Sequence, residues 1–297
     1  MKNTLSAIRL VIASSVLSSN VSASVTMDWV TVGNAGNSAD PLTGYGAVGY
    51  DYKIGKYEVT NAQYGAFLNA TAQTDSYGLY NASMSSYGIS RRGSFASYTY
   101  SVTSSLANRP VAHVSWFDAA RFANWMMNGQ GSGSTETGAY TLNGATSGII
   151  LANAGAQVYI PTEDEWYKAA YYNGDNSTYS LFPNGLNNIT TSDANYNSSA
   201  STDVGSYGDD ASSYGTYDQA GNVYEWNDSV ILGASRGARG GNMVNDDSNI
   251  SSLYRAAVFG PAFEDAGFGF RLASVPEPTP MLLSMFAGGM MLIRRKR

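Results

Sequence analysis

The chain has 297 residues, no cysteine and a formal net charge of −6. Without thiols it can form no disulfide, bind no metal through thiolates and present no cysteine nucleophile. Setting its two ends aside leaves 11 basic against 22 acidic residues, about −11, a surface that repels nucleic acid and anionic lipid and favours cations or neutral ligands. The remaining body, about 250 residues, is enough for one substantial core. The whole chain's 32 glycines and 22 tyrosines, with only 13% charged residues, point to an irregular, loop-rich domain.

Residues 1–23 carry a charged start (Lys2, Arg9), an apolar run from Leu10 to Leu17 and the small-residue site Val21-Ser-Ala23, and read as a cleavable secretory signal. The body follows over residues 24–274, and capping boxes predict three helices in it. Thr60-Asn-Ala-Gln63 opens one with Tyr64, Phe67 and Leu68; Ser115-Trp-Phe-Asp118 opens one with Trp116, Ala120, Ala123 and Met127; Thr162-Glu-Asp-Glu165 opens one with Trp166, Ala169 and Ala170. Short strands are expected before them at Tyr57-Glu-Val59, Val111 to Val114 and Val158-Tyr-Ile160. Thr71 to Asn108 and Gly129 to Gln157 read as insertions, the second with a hairpin turn at Leu142-Asn-Gly144. Tyrosines in these loops either stack on sugars or cover the edges of the core. Phe268-Gly-Phe-Arg-Leu272 alternates as a last core strand.

Near the end, Tyr217-Asp-Gln-Ala-Gly-Asn-Val-Tyr-Glu-Trp226 places Asp218 and Glu225 where they can converge, with the Gly221 and Val223 carbonyls between them. Such a turn suits a hard cation wanting six to eight oxygens, or is simply an edge-strand turn with two solvated acids. Other candidate chemistry is thin. The lone His113 is short of the two histidines and a carboxylate of a non-haem iron site, and Ser115 and Asp118 already have a capping role that explains them without a triad. Glu163-Asp-Glu165 sit in a helix's first turn, where the dipole attracts acids, with no opposing acid for glycoside hydrolysis. Arg236-Gly-Ala-Arg-Gly-Gly241 lines an anion or peptide pocket, or is a structural turn with Arg239 in an internal ion pair.

Residues 275–297 run Val275-Pro-Glu-Pro278, an apolar stretch from Met281 to Ile293 and Arg294-Arg-Lys-Arg297. The stretch is shorter than the ~20 residues of a stable span. This tail resembles the PEP-CTERM sorting signal of Gram-negative bacteria, which implies an exosortase partner, transient membrane anchoring and a place in the cell envelope or outside the cell.

In order, the body offers Lys53-Ile-Gly-Lys-Tyr-Glu-Val-Thr-Asn61, Arg109-Pro-Val-Ala-His-Val-Ser-Trp116, Ile160-Pro-Thr-Glu-Asp-Glu-Trp166, Gly221-Asn-Val-Tyr-Glu-Trp226, Arg239-Gly-Gly241 and Gly269-Phe-Arg271. This series resembles the formylglycine-generating enzyme, or sulfatase-modifying factor, family. The resemblance implies an α+β fold, a single C-type-lectin-like domain with little regular secondary structure and long loops, and structural Ca²⁺. It places one calcium site on Asp218, Gly221, Val223 and Glu225, and part of a second on Asn195 and Tyr196. The family oxidises a peptide cysteine with O₂ through two Cu(I)-binding cysteines just after Arg-Gly-Gly. Here that segment is Asn242-Met-Val-Asn-Asp-Asp-Ser-Asn-Ile250, so copper is not expected. The reading is a non-catalytic exported domain that binds a polysaccharide or an envelope protein through the loop from Asn242 to Phe263, with Arg239, Asn242, Asn245, Asp246 and Asp247 as ligand-binding residues. The alternatives are an oxidoreductase-type member with reassigned chemistry and a structural matrix protein.

Overall fold

A computed structural model describes residues 24–208, 211–257 and 259–275. The export signal and the sorting tail inferred from sequence lie outside these residues, apart from Val275. Among the described residues, no helix is long and apolar enough to cross a membrane.

All three capping boxes form. Thr60, Ser115 and Thr162 each accept from the backbone three residues on, while Gln63, Asp118 and Glu165 reach back to the cap. They open α1 (Asn61–Thr71), α2 (Trp116–Met127) and α3 (Glu163–Tyr171). Ten successive residues of α2, Trp116 to Trp125, are buried. A helix buried on all sides must satisfy its polar groups internally. Arg121 pairs with Glu136 at 2.7 Å, and the Asn124 side chain bonds the Thr135 and Tyr140 backbones. Those partners belong to the segment from Gly129 to Gln157, which wraps α2 and contributes buried Ala139, Tyr140 and Leu142. The expected turn at Asn143-Gly144 is present with both φ angles positive, but only a single bridge, Tyr140 to Ala152, flanks it.

The strands are short. β1 (Trp29–Val32), β2 (Tyr52–Gly55), β11 (Ala273–Ser274) and β5 (Val158–Tyr159) make one antiparallel sheet in that order. β8 (Tyr224–Ile231) lies between β9 (Ser235–Arg239), antiparallel, and β10 (Phe268–Gly269), parallel. Two hairpins, β3–β4 (Ile89–Arg92, Thr99–Val102) and β6–β7 (Tyr172–Asn173, Thr178–Tyr179), complete the set.

Two expected strands are absent. Residues 57–59 and 111–114 bond singly across the domain, Val111 N to Val59 O and Val59 N to Phe270 O, each at 2.9 Å, and His113 at φ 57° interrupts any extended run. The segment from Thr71 to Asn108 is core rather than ornament: Leu79, Met84, Ile89 and Tyr100 are buried in the main cluster, and Tyr80 and Tyr98 pack under Arg91. At the centre, Phe122 meets Phe67 at 5.3 Å and Phe270 at 5.4 Å. Each such ring removed from water contributes about 1.5–3 kcal/mol.

Candidate functional site

The turn before β8 is built on close backbone approach. Gly221, at φ 79°, lies so near the Asn195 carbonyl that an added Cβ would stand 2.1 Å from it. Only a glycine leaves room there while adopting the left-handed conformation without penalty. Asn222 N donates to Asn195 O at 2.8 Å, and the Asn195 amide donates to Ala200 O and Asn222 Oδ1. Asn195 is thus brought against Gly221, and the hydroxyl of the next residue, Tyr196, donates to Ile189 O.

Glu225 and Asp218 have different surroundings. Glu225 is fully buried and its carboxylate is gripped by Arg271 at 2.5 and 2.6 Å, with Trp166 Nε1 donating at 2.8 Å. Asp218 accepts from Gly205 N at 2.6 Å. A third acid, which sequence reading placed in a strand and left without a role, joins them. Glu58 is buried, receives Asn222 Nδ2 on Oε1 at 3.1 Å and leaves Oε2 without a partner. Burial, then Asp218, then Glu225 push its carboxyl well above the usual range, and burial pushes Asp218 up as well. Three acids thus face one guanidinium, an excess of buried negative charge that protons or a cation must offset.

Among the described residues no three acids or histidines form a ready metal cage, because Glu225 is turned to Arg271. The orphaned Glu58 oxygen, which interacts with Asp218, nevertheless has the chemistry that suits a hard, oxygen-seeking cation. The signal for Glu58 was present in sequence as a lone acid between Tyr57 and Val59, but its partners lie more than 150 residues away.

The second candidate region follows β9. Arg239 is buried and committed: it pairs with Glu163 at 2.7 Å and donates to the Ser252 and Tyr254 carbonyls. Arg255 shares the same Glu163 carboxylate. Asp164 accepts from Gly46 N, and Glu165 serves its cap and Tyr159, so each acid of this first turn already has a partner. Asn242 and Asn245 lock the turn after Gly241 by reciprocal bonds of 2.9 and 3.0 Å. Beyond them Asp246 and Asp247 are exposed, and Ser248 holds the Asp246 carboxyl below its usual range. Asp247 borders a groove of about 480 Å³ whose other walls include Leu181, Phe182, Leu253 and Tyr254. Of the proposed ligand residues, Asn242, Asn245, Asp246 and Asp247 therefore share one loop, while Arg239 lies buried beneath it. Ser115 and Asp118 bond each other within their cap, and His113 packs on Tyr87 instead.

Together these features define a single α+β domain of small sheets and long loops, with a buried acid cluster under one turn and an acidic loop beside a groove. The chain belongs to the sulfatase-modifying factor enzyme 1-like domain family, whose profile matches residues 29–275. Among solved structures it is similar to CarF, at 23% identity and a TM-score of 0.57 over 85% of this chain and 99% of that one. It is also similar to Treponema denticola variable protein 1, at 21% identity and a TM-score of 0.55 over 84% and 95%. These likenesses show the C-type-lectin-like fold. No curated protein matches the sequence.

Proposed function

We propose that this protein is an exported, non-catalytic member of its family that binds a polysaccharide or an envelope protein through the loop from Asn242 to Phe263, and that its sorting tail is processed by an exosortase. One observation carries the reading. The loop that bears the family's two cysteines holds Asn242, Asn245, Asp246 and Asp247 here, on an intact scaffold beside an open groove. No thiol remains to bind copper or attack oxygen, and two exposed carboxylates suit a hydroxyl-rich or basic ligand.

The test has two parts. Incubated with a cysteine-containing sulfatase-type peptide, O₂ and Cu(I), the mature protein is expected to leave the peptide mass unchanged; formylglycine would overturn the reading and favour reassigned oxidoreductase chemistry. Exopolysaccharide and envelope fractions from the producing cell should be retained by the wild-type protein and lost from Asp246→Asn/Asp247→Asn. Retention of nothing would point to an inert matrix protein.

We further propose that Ca²⁺ stabilises the domain at the turn before β8, held by Asp218, Glu58 and the Gly221 and Val223 carbonyls, with Glu225 supporting through its contacts. A ligand present at about 100 times its Kd adds about 2.7 kcal/mol. At roughly 2–4 °C per kcal/mol for a chain of this size, EDTA should lower Tm by about 5–10 °C and calcium restore it. Glu58→Gln should remove most of that difference. An identical Tm with and without calcium would rule the site out.

A further inference from the structure

His113 is the chain's single histidine, and its surroundings are unusual. Its backbone sits at φ 57°, a left-handed conformation that a non-glycine residue adopts only at a cost of about 1–2 kcal/mol. Its amide donates to Asp265 O at 2.9 Å, its ring meets Tyr87 edge-on at 4.9 Å, and Nε2 is buried with no partner. Residues 259–267 form a strap across this point. Trp116 N bonds Pro261 O at 3.0 Å, and Phe259 and Phe263 close on Phe268 at 4.8 and 5.2 Å. On the far side Glu264 accepts from Asn81, which caps the short helix Ala82–Ser86 that ends at Tyr87. The imidazole therefore packs on Tyr87, its backbone is tied to the strap at Asp265, and one ring nitrogen is unprovided for.

We propose that His113 is an acid-sensitive latch: neutral, it lets residues 259–267 stay docked on the backbone at this point; protonated, it needs an acceptor and hydration for a buried N–H that has neither, and the strap opens. The titratable groups that bear on it are Asp265 on the strap and Tyr87 on the short helix; Glu264, next to Asp265, interacts instead with Asp118 in the cap of α2. The Asp265 carboxylate is the attraction that would hold a cation in place, but its Oδ1 already accepts from Gly267 N. Burial outweighs that attraction and lowers the affinity of His113 for a proton. A basic group lowered in the folded state contributes stability that is present above its ordinary value, near 6.5, and lost as the pH falls through the folded value. Asp118, pushed up to about 7 by burial, and Glu264, also raised by burial, act in the opposite sense over part of the same range. Only the difference between the wild type and a His113 variant isolates the latch.

Because the strap includes the end of the loop from Asn242 to Phe263, any effect on ligand binding rests on the proposed binding role. The latch itself is read without ligand. His113→Asn keeps a residue that tolerates the left-handed conformation and cannot titrate. Circular dichroism at neutral pH verifies that it folds. Hydrogen exchange of the strap amides, corrected for intrinsic rates, should show wild-type protection falling about threefold or more between about pH 7.5 and about pH 5.5. In His113→Asn it should change by less than about twofold. Equal loss in both proteins, or no loss in the wild type, would overturn the latch, and neither result bears on whether the loop binds a ligand.

Discussion

Arg271→Met is expected to destabilise the domain by about 3–5 kcal/mol, the usual consequence of removing one partner from a buried pair. Both side chains are wholly buried, and the guanidinium also holds the carbonyls of Gly55, Lys56 and Tyr217. One side chain therefore ties β2, the loop before β8 and β8 itself together from a position between β10 and β11. Its loss strands Glu225 beside Glu58 and Asp218, leaving three acids with no cation. On the size scaling for a chain of this length the Tm should fall by on the order of 10 °C. The double variant Arg271→Met/Glu225→Gln should recover part of that, because much of the cost is the unpaired charge rather than the lost pair. If the double variant is no more stable than Arg271→Met in thermal unfolding, the packing of the arginine stem, not the charge, accounts for the loss. High calcium should also rescue Arg271→Met more than the wild type if a cation can enter the same acid cluster.

The elements written in local sequence were legible. Each capping box uses residues three apart, so Thr60-Gln63, Ser115-Asp118 and Thr162-Glu165 announced α1, α2 and α3 without tertiary information. The strands were harder because most are two to five residues long and their partners are distant: Ala273 pairs with Ile54 and Tyr159. The run from Val111 to Val114 has strand composition, but His113 turns left-handed within it, and nothing in local propensity marks that turn. The segment from Thr71 to Asn108 looked like decoration because serine, glycine and tyrosine dominate it, yet a few well-placed side chains such as Leu79 and Ile89 make it core.

The candidate site divides the same way. Asp218, Gly221, Val223 and Glu225 lie within eight residues and were visible as a group. Glu58 was not, since only folding brings it to Asn222. Arg239 offered two readings, and the bonds it makes inside the domain correspond to the ion-paired one.

Gly221→Ala tests how tightly the acid cluster depends on backbone approach. A left-handed alanine costs about 1–2 kcal/mol wherever it occurs. Gly36→Ala, at φ 81° with no atom within 4 Å of the added carbon, should show that penalty alone. At Gly221 the methyl would meet Asn195 O at 2.1 Å, and backbone cannot swing aside as a flexible side chain does. Overpacking adds about 1–3 kcal/mol, so Gly221→Ala should lose roughly 2–5 kcal/mol in chemical denaturation, well beyond the control. The displacement has a defined route to the acids: moving the Asn195 carbonyl breaks its bond to Asn222 N, and Asn222 Nδ2 is what holds Glu58 Oε1. The calcium-dependent rise in Tm should therefore vanish in Gly221→Ala and persist in Gly36→Ala. Equal losses in the two variants would mean that the segment around Asn195 yields easily; a retained calcium response would mean that Glu58 is positioned by something other than this turn. The contrast separates the cost of a conformation from the cost of a contact, and only the contact reaches the site.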